Sequence, residues 1–428
     1  MLIYVSIYPK GLLTRRGEAM TPEKVVLAYS GGLDTSVAIR WLQEQGYDVV
    51  AVTMDVGQPG NLEETRAKAE RLGAKAYVLD VREEFAEEFL VPALRANALY
   101  EGQYPLSTAL TRPLIGKHLV AVARKESARA VAHGCTGKGN DQVRFDLCTT
   151  ALAPDLKVIA PARVWNMTRE QSVAYAAEHG VPVPVKNGSP YSTDENLWGR
   201  SVECGILEDP AIEPPEEAYA WTTAPAEAPG DPAYANILFE EGRPVGLNGK
   251  RLPLVSLIMT LNRLAGQHGV GRIDHVESRV VGIKSREVYE CPAAVVLTKA
   301  HQALEAMVLP RDVLDFKRTV EARYANLIYD GLWFTPLRES LDAFVASTQE
   351  RVSGEVSVKL FKGSATVVGR TSPNSLYQNA LATYGRGDVF RQDMAEGFIY
   401  VWGLPARTWT AVGEKAAPKL VKAAKRTN

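Results

Sequence analysis

The stretch from Ala28 to Ser36, with the sequence Ala-Tyr-Ser-Gly-Gly-Leu-Asp-Thr-Ser, does most to constrain how this 428-residue chain can fold. An apolar run at 25–28 is typical of a buried strand, and a helical spacing of apolar residues continues after the stretch to Gly46. A strand, a glycine turn and a helix start direct free backbone N–H groups toward an anion. The pattern predicts a phosphate-binding loop, and an ordinary strand-to-helix turn is the alternative.

The residue types in this loop indicate which phosphate group it suits. Gly31 and Gly32 let a phosphate approach the main chain closely, and three hydroxyl side chains (Ser30, Thr35 and Ser36) flank them. The Gly-Lys-Ser/Thr sequence of a Walker loop is absent. Without a lysine to hold a γ-phosphate, the loop suits a pyrophosphate that leaves as one piece.

The composition argues against several classes of protein. The net charge is −1, so the total charge does not favour binding to nucleic acid or to an anionic membrane. The four cysteines are scattered, which indicates reduced thiols in a cytoplasmic protein. The histidines form no metal-ligand spacing, and no apolar stretch is long enough to span a membrane. We therefore expect a cytoplasmic protein that has neither nucleic acid nor membrane as a partner.

The order of apolar patterns predicts the domain organisation. Strand and helix patterns alternate in the first half, which indicates an α/β fold with an open parallel sheet, whereas hairpin-like strands and long helices in the second half indicate an α+β domain. The predicted segments are a disordered extension at 1–20 with Met20 as the natural start, a nucleotide-binding domain at 21–185, an α+β domain at 186–400, and a helical tail at 401–428 that packs on a neighbouring subunit.

Individual elements follow from the same patterns. Strands are predicted at 25–29, 48–55, 76–81, 130–133, 236–239, 245–246, 279–283, 356–361 and 365–370. Helices are predicted at 34–45, 62–72, 83–98, 112–127, 169–179, 253–265, 293–307 and 312–329. Asn248-Gly249 predicts a tight turn.

A second polar cluster runs from Gly134 to Phe145, with the sequence Gly-Cys-Thr-Gly-Lys-Gly-Asn-Asp-Gln-Val-Arg-Phe. Its three glycines allow the backbone to pass close to a ligand. Arg144 has the donors to bind a carboxylate, Asp141 has the charge to bind an ammonium, and Asn140 has groups for both. This set predicts a site for an amino acid zwitterion, and a polar surface loop is the alternative.

Two further clusters carry weaker signals. The first, Tyr191 to Ser201, has hydroxyl residues followed by Glu195, so a capped helix is the favoured interpretation when this stretch is considered alone. The second, Gly269 to Arg279, contains a Gly-x-Gly sequence, but it lacks the third glycine and follows a helix. It therefore does not indicate a dinucleotide site.

The loop at Ala28–Ser36 resembles the pyrophosphate-binding loop of the N-type ATP pyrophosphatases, which cleave ATP between the α and β phosphates. From about Lys24 to Trp409 the chain resembles one family of that class, the argininosuccinate synthases. The matching stretches are Ala28–Ser36, Gly134–Phe145, Ser192–Ser201, Gly269–Glu277 and Ala395–Pro405.

This resemblance implies an activity. The family ligates citrulline and aspartate through a citrullyl-adenylate, uses ATP with Mg²⁺, releases AMP and pyrophosphate, and forms a homotetramer. The sequence carries no direct protein motif for a metal, so the Mg²⁺ is expected to be bound through the ATP phosphates. Asp34 is expected to organise magnesium pyrophosphate, with a helix N-cap as its alternative role, and Asp34 and Ser36 are the expected catalytic residues.

The resemblance also implies binding residues. Those for ATP are Ala28, Tyr29, Ser30, Gly31, Gly32, Leu33, Asp34, Thr35, Ser36, Met54 and Gly134. Those for aspartate are Thr136, Asn140 and Asp141. Those for citrulline are Tyr104, Thr108, Asn140, Arg144, Ser192, Ser201, Glu277 and Tyr289.

Two positions depart from the family pattern. Many relatives have alanine where Met54 stands, and some have serine where Ala109 stands, so Thr108 is expected to supply that hydroxyl contact. Two alternatives remain open from the sequence. One is a tRNA-thiolating enzyme, which would need reactive cysteines and a basic surface, and the other is a catalytically silent protein that senses nucleotides.

Overall fold

The computed structural model describes residues 22–165, 167, 169–182 and 190–416. The predicted extension at 1–20 and the last part of the predicted tail, 417–428, lie outside the described residues. The chain divides into one compact unit that ends at Asn374 and a second that begins at Ser375. In the described part, no helix is both long and apolar enough to cross a membrane.

A parallel sheet forms the first half of the first unit, as predicted. Its strands are β1 (Lys24–Ala28), β2 (Asp48–Asp55), β3 (Lys75–Asp80), β4 (Ala130–Ala132) and β5 (Lys157–Ile159). They lie in the order β3-β2-β1-β4-β5 and all pair in parallel. The neighbours of β1 continue the sheet in opposite directions, so a crevice forms at the carboxyl end of β1, where ligands bind in sheets of this kind.

Helices connect these strands and follow the last of them. They are α1 (Leu33–Glu44), α2 (Leu62–Arg71), α3 (Arg82–Glu84), α4 (Val91–Arg95), α5 (Ser107–Glu126), α6 (Asn140–Leu152), α7 (Pro161–Trp165) and α8 (Arg169–Glu178). A π-helical segment, Phe85–Leu90, joins α3 to α4. The predicted start of α5 at 112 is wrong by five residues, since α5 continues through Pro113, a residue that favours the first turn of a helix.

A four-stranded antiparallel sheet follows the parallel one. It contains β6 (Ser192–Asn196) and β7 (Gly199–Glu203), and later in the chain β11 (Arg272–Ser278) and β12 (Lys284–Glu290), in the order β11-β12-β7-β6. The capped helix favoured for the cluster at 191–201 is therefore wrong. Long-range contacts stabilise a hairpin instead, because the Trp198 ring at its turn is buried and donates Nε1–H to the Pro105 carbonyl at 3.0 Å.

The strand predicted at 279–283 is also wrong, because these residues form the turn between β11 and β12. The Arg279 N–H donates to the Ile283 carbonyl at 2.8 Å, and Gly282 has a φ of 88°. A positive φ of this size closes a turn and does not continue a strand. The apolar residues that suggested a strand are partly exposed there: Val280, Val281 and Ile283.

A second antiparallel sheet completes the first unit. Its strands are β8 (Ala233–Glu240), β9 (Arg243–Leu247), β10 (Lys250–Arg251), β13 (Gly354–Phe361) and β14 (Ser364–Thr371), in the order β10-β9-β8-β13-β14. The predicted hairpins at 236–246 and 356–370 are confirmed, and so is the turn at Asn248-Gly249, where both residues have positive φ. The helices of this part are α9 (Leu254–Gln267), α10 (Pro292–Val308), α11 (Arg311–Tyr329) and α12 (Pro336–Gln349).

In the part that the structure describes, the second unit contains short helices with exposed apolar side chains. They are α13 (Asn379–Ala382), α14 (Gln392–Trp402) and α15 (Leu404–Ala416). No residue of α14 is buried, although it carries exposed Phe398, Ile399 and Trp402. A helix with this much exposed apolar surface is typical of an interaction surface.

Candidate active site

The phosphate loop connects β1 to α1 at the carboxyl edge of the parallel sheet. Tyr29 extends β1 by donating its N–H to the Val52 carbonyl at 2.9 Å. Gly31 has a φ of 77°, which favours glycine, and Gly32 occupies the N-cap position of α1. Asp34 lies in the first turn of α1, so its alternative role as the N-cap is wrong.

Hydroxyl groups brace this loop. The Ser36 hydroxyl donates to the Gly32 carbonyl at 2.7 Å and lies 3.1 Å from the Tyr29 hydroxyl. The hydroxyl oxygens of Ser30 and Thr35 are 3.1 Å apart on the exposed side. Among the described residues, the Gly32 N–H makes only a long contact of 3.4 Å, with Ser30 Oγ, and is therefore available to an anion.

The remaining residues predicted to bind ATP lie along the same edge of the sheet. Gly134 follows β4, and a Cβ added to it would come within 3.1 Å of the Thr35 methyl carbon. Met54 lies near the end of β2 with its side chain buried in the core, and its carbonyl accepts a hydrogen bond from Gln58 at 2.7 Å. The glycine-rich segment after β4 therefore contacts the phosphate loop directly.

The same segment carries the residues predicted to bind aspartate. Thr136 lies in the turn before α6, where its carbonyl accepts the Gly139 N–H at 3.2 Å. Asn140 begins α6, donates its side-chain amide to the Tyr329 hydroxyl at 2.8 Å, and accepts the Val280 N–H at 2.9 Å. The end of α11 and the turn between β11 and β12 thus pack against the start of α6.

Two arginines converge on the Asp141 carboxylate. Arg112 Nη2 lies 2.8 Å from Oδ2, and Arg144 Nη1 lies 2.9 Å from Oδ1. Burial would raise the pKa of Asp141, but the charges of the two arginines outweigh burial and lower the pKa to about 2. Arg112 also contacts the carboxylate of Asp194 on β6.

Arg144 retains unused hydrogen-bonding capacity. Its Nε donates to the Tyr329 carbonyl at 2.9 Å, and its guanidinium lies over the Tyr329 ring. Its Nη2 is buried and has no hydrogen-bond partner among the described residues. A buried guanidinium donor without a partner is costly, and a substrate carboxylate would satisfy it.

The other residues predicted to bind citrulline meet on one face of the four-stranded sheet. Tyr289 pairs with Ser201, and Ser285 pairs with Glu277, so β12, β7 and β11 present alternate residues to a common face. The Tyr289 hydroxyl donates to Glu277 Oε2 at 2.7 Å. The Tyr104 ring stacks on the Tyr289 ring with centroids 4.1 Å apart.

Two more hydroxyl residues adjoin this face. Thr108 Oγ1 lies 3.4 Å from Ser201 Oγ, and the Thr108 N–H donates to the Tyr104 hydroxyl at 2.9 Å. Ser192 pairs with Glu203 across β6 and β7, and it is exposed on the edge strand. The structure thus brings the predicted citrulline residues together on this face or against it.

The sequence did not reveal the aromatic pair that covers Glu277. Tyr329 donates its hydroxyl to Glu277 Oε1 at 2.6 Å and stacks on Tyr100 with ring centroids 3.5 Å apart. Tyr329 is the last residue of α11, and no local pattern distinguishes it from a core residue of an amphipathic helix. Only the packing of α11 brings it to the site.

Two further carboxylates were missed although the sequence contained a signal for them. Glu203 and Glu287 each lie two residues from a predicted site residue, and strand alternation places such residues on the same face. Arg279 Nη2 lies 2.6 Å from Glu203 and 3.2 Å from Glu287. Burial raises the pKa of Glu287, and Glu277 and Glu203 raise it further, while Arg279 opposes the shift.

The cysteines supply no activated thiol. Burial raises the pKa of all four, Cys135, Cys148, Cys204 and Cys291. A reactive cysteine needs a lowered pKa, so these thiols weigh against a tRNA-thiolating enzyme. No group of three or more His, Cys, Asp or Glu side chains in the described ranges is arranged to hold a metal ion.

Comparison with known proteins identifies the family of this chain. The model of the arginosuccinate synthase N-terminal HUP domain matches residues 24–182, and the model of the arginosuccinate synthase C-terminal domain matches residues 191–409. The parallel sheet with its phosphate loop therefore belongs to the HUP class of domains. The chain as a whole belongs to the argininosuccinate synthase family.

Curated relatives match over nearly the whole length. The argininosuccinate synthase of Oceanobacillus iheyensis is 57% identical over 94% of this chain and 97% of its own. That of Bacillus pumilus is 58% identical over 93% and 99%, and that of Dictyoglomus turgidum is 57% identical over 93% and 100%. A solved structure, a predicted subunit of tRNA methyltransferase from Methanocaldococcus jannaschii, matches with a TM-score of 0.27 at 15% identity over 36% of this chain and 76% of that chain, which is too weak to support an inference.

Substitution of Glu287 should change how stability depends on pH. Because the pKa of Glu287 is raised in the folded state, the native protein keeps this proton at pH values at which the unfolded chain has released it. The contribution of Glu287 to the free energy of unfolding therefore falls as the pH rises above about 4.5. Glutamine cannot ionise, so the melting temperature of Glu287→Gln should fall less than that of the wild type between about pH 5 and about pH 8.

The matched control is Glu83→Gln, which removes an exposed carboxylate on α3 and should leave the pH profile unchanged. Melting curves that run in parallel for Glu287→Gln and the wild type would contradict a raised pKa at Glu287.

Proposed function

We propose that this chain ligates citrulline and aspartate to argininosuccinate in an ATP-dependent reaction that proceeds through a citrullyl-adenylate and releases AMP and pyrophosphate. Family membership supports this activity. The main structural support is the position of the segment 134–144. This segment contacts the phosphate loop at Thr35 and one face of the four-stranded antiparallel sheet at Glu277. A nucleotide and an amino acid bound at these two places would lie next to each other.

ATP is proposed to bind with its outer phosphates on the loop at Ala28–Ser36. The glycine backbone, the available Gly32 N–H and the hydroxyls around it fit a polyphosphate. Mg²⁺ is proposed to be bound through these phosphates, where it would neutralise the charge of the leaving pyrophosphate. Asp34, in the first turn of α1, is proposed to organise the magnesium pyrophosphate. Ser36 is proposed to keep the loop in its binding geometry through its bond to Gly32.

Citrulline is proposed to bind against the face of the four-stranded sheet that presents Glu277 and Tyr289. Glu277 would bind its ammonium group, and Arg144, through the unpaired Nη2, would bind its carboxylate. Thr136, Asn140 and Asp141 are proposed to bind aspartate. Because both oxygens of Asp141 pair with arginines, its side chain also holds Arg112 and Arg144 in place.

The chemistry has two steps. The ureido oxygen of citrulline attacks the α-phosphate of ATP and displaces pyrophosphate, which converts a poor leaving group into AMP. The α-amino group of aspartate then attacks the activated carbon, and AMP leaves. Little covalent chemistry falls to the protein, so catalysis comes mainly from positioning and from stabilising the charge of the leaving pyrophosphate.

We also propose that the protein is a cytoplasmic homotetramer. The four unpaired thiols suit a reducing compartment. The exposed apolar side chains of α14 and α15, among them Phe398 and Trp409, suit burial against other copies of the chain.

The products of the reaction test the proposed function. With ATP, Mg²⁺ and both amino acids, the protein should form AMP and pyrophosphate in equal amounts. Without aspartate, it should still exchange labelled pyrophosphate into ATP, provided that citrulline is present. Asp34→Ala should lose this exchange while remaining folded, which a melting curve verifies. Formation of ADP, or binding of ATP with no AMP formed, would contradict the proposal, and the second outcome would favour a nucleotide sensor.

The role of Arg144 has its own test. Arg144→Met should raise the citrulline KM by at least about tenfold, because a charged hydrogen bond to the substrate is lost. Steady-state kinetics at saturating ATP measure this change. Arg124→Met, which removes a guanidinium from an exposed pair with Asp155, is the control and should keep normal kinetics. Normal citrulline saturation in Arg144→Met would refute the assignment.

The tetramer is tested by size-exclusion chromatography with light scattering. The wild type should have the mass of four chains of 46.7 kDa. Phe398→Asp places a charge on the apolar surface of α14 and should shift the protein to smaller species, whereas Gln392→Asp at the start of the same helix should not. A wild-type protein that elutes as a monomer would rule out the proposed assembly.

A further inference from the structure

The phosphate loop contains no lysine, but a lysine from another element contacts it. Lys68, on α2, donates its Nζ to the Gly31 carbonyl at 2.8 Å. Thr65 lies about one turn earlier on the same helix, and a Cβ added to Gly31 would come within 2.9 Å of its methyl carbon. Two side chains of α2 thus converge on Gly31, the glycine of the loop that has a positive φ.

This contact orients the peptide unit between Gly31 and Gly32. In a planar trans peptide, the carbonyl and the following N–H point in opposite directions. Because Lys68 holds the Gly31 carbonyl toward α2, the Gly32 N–H points away from α2, where its contact with Ser30 Oγ is a long 3.4 Å. A carbonyl turned the other way would repel a phosphate.

Lys68 also brings a positive charge that no described carboxylate neutralises. It forms no ion pair in the described part of the chain, whereas Arg66 on the same helix pairs with both Glu63 and Glu70. Burial lowers the pKa of Lys68, and the nearby charge of Arg71 lowers it further. An anion bound at the loop would offset both effects, since it favours the protonated amine.

We propose that Lys68 is a positioning residue of the phosphate loop, which fixes the Gly31–Gly32 peptide with its N–H toward the outer phosphates and supplies the positive charge that a Walker loop carries within its own sequence. The role rests on the proposed binding of ATP at this loop. This role concerns only the pyrophosphate end of the nucleotide, so substitution of Lys68 should not change the affinity for the adenosine end.

The test compares the binding of two ligands to the full-length protein. Calorimetric titrations with magnesium pyrophosphate and, separately, with AMP are made on the wild type, Lys68→Met and Lys68→Arg. Lys68→Met should weaken pyrophosphate binding by at least about tenfold, because a charge-assisted hydrogen bond is lost, and should leave AMP binding unchanged. In kinetic assays it should raise the ATP KM without raising the citrulline KM.

Two variants serve as references. Lys68→Arg keeps the charge and the donor and should restore much of the pyrophosphate affinity. Arg66→Met removes a charge from the exposed side of the same helix and should bind pyrophosphate like the wild type. Melting curves verify that each variant is folded, and Lys68→Gln replaces Lys68→Met if the latter is unstable.

The outcomes separate this role from the function on which it rests. Equal pyrophosphate affinity in the wild type and Lys68→Met would overturn the role of Lys68. So would an equal loss of pyrophosphate and AMP binding, which indicates a general distortion of the domain. A wild type that binds no magnesium pyrophosphate would instead refute the proposed ATP site, and with it the role of Lys68.

Discussion

The parallel pairing of β1 with both β2 and β4 is the constraint on which the rest of the site depends. β1 is short and fully apolar in its centre, so it is stable only when buried on both faces between neighbouring strands. This position brings the loop after β1 against the segment after β4, where Gly134 lies close to Thr35. Each loop contains a glycine turn, and together they form one edge at which the Gly32 N–H makes only a long contact among the described residues.

The segment from Gly134 to Arg144 connects this edge to the second half of the chain. Asn140 contacts Tyr329 and the β11–β12 turn, while Asp141 holds Arg112 and Arg144. Arg144 is buried and Asp141 and Arg112 are partly buried, so each charge is stabilised mainly while its partners stay in place. The proposed amino acid site therefore requires both α6 and the face of the four-stranded sheet, which explains why its residues are far apart in the sequence.

Sequence patterns predicted well where the signal is local. The glycine loop and the central strands of the parallel sheet follow from residue order alone, because φ preferences and apolar runs are properties of a few adjacent residues. The same reasoning failed at 191–201 and 279–283, where a helix and a strand were predicted. At the first, a hairpin forms because Trp198 is buried against a distant segment. At the second, the turn is determined by the pairing of β11 with β12.

By itself, the sequence determined the class of fold, the glycine turn after β1 and the types of side chain at the candidate site, since these depend on backbone conformation and chemistry within short stretches. Only the tertiary structure decided which distant groups join them. Lys68 reaches Gly31 from another helix, and Tyr329 reaches Glu277 from the end of α11. Such contacts depend on how helices pack on the sheets, and the spacing of residues within one stretch of sequence does not predict that packing.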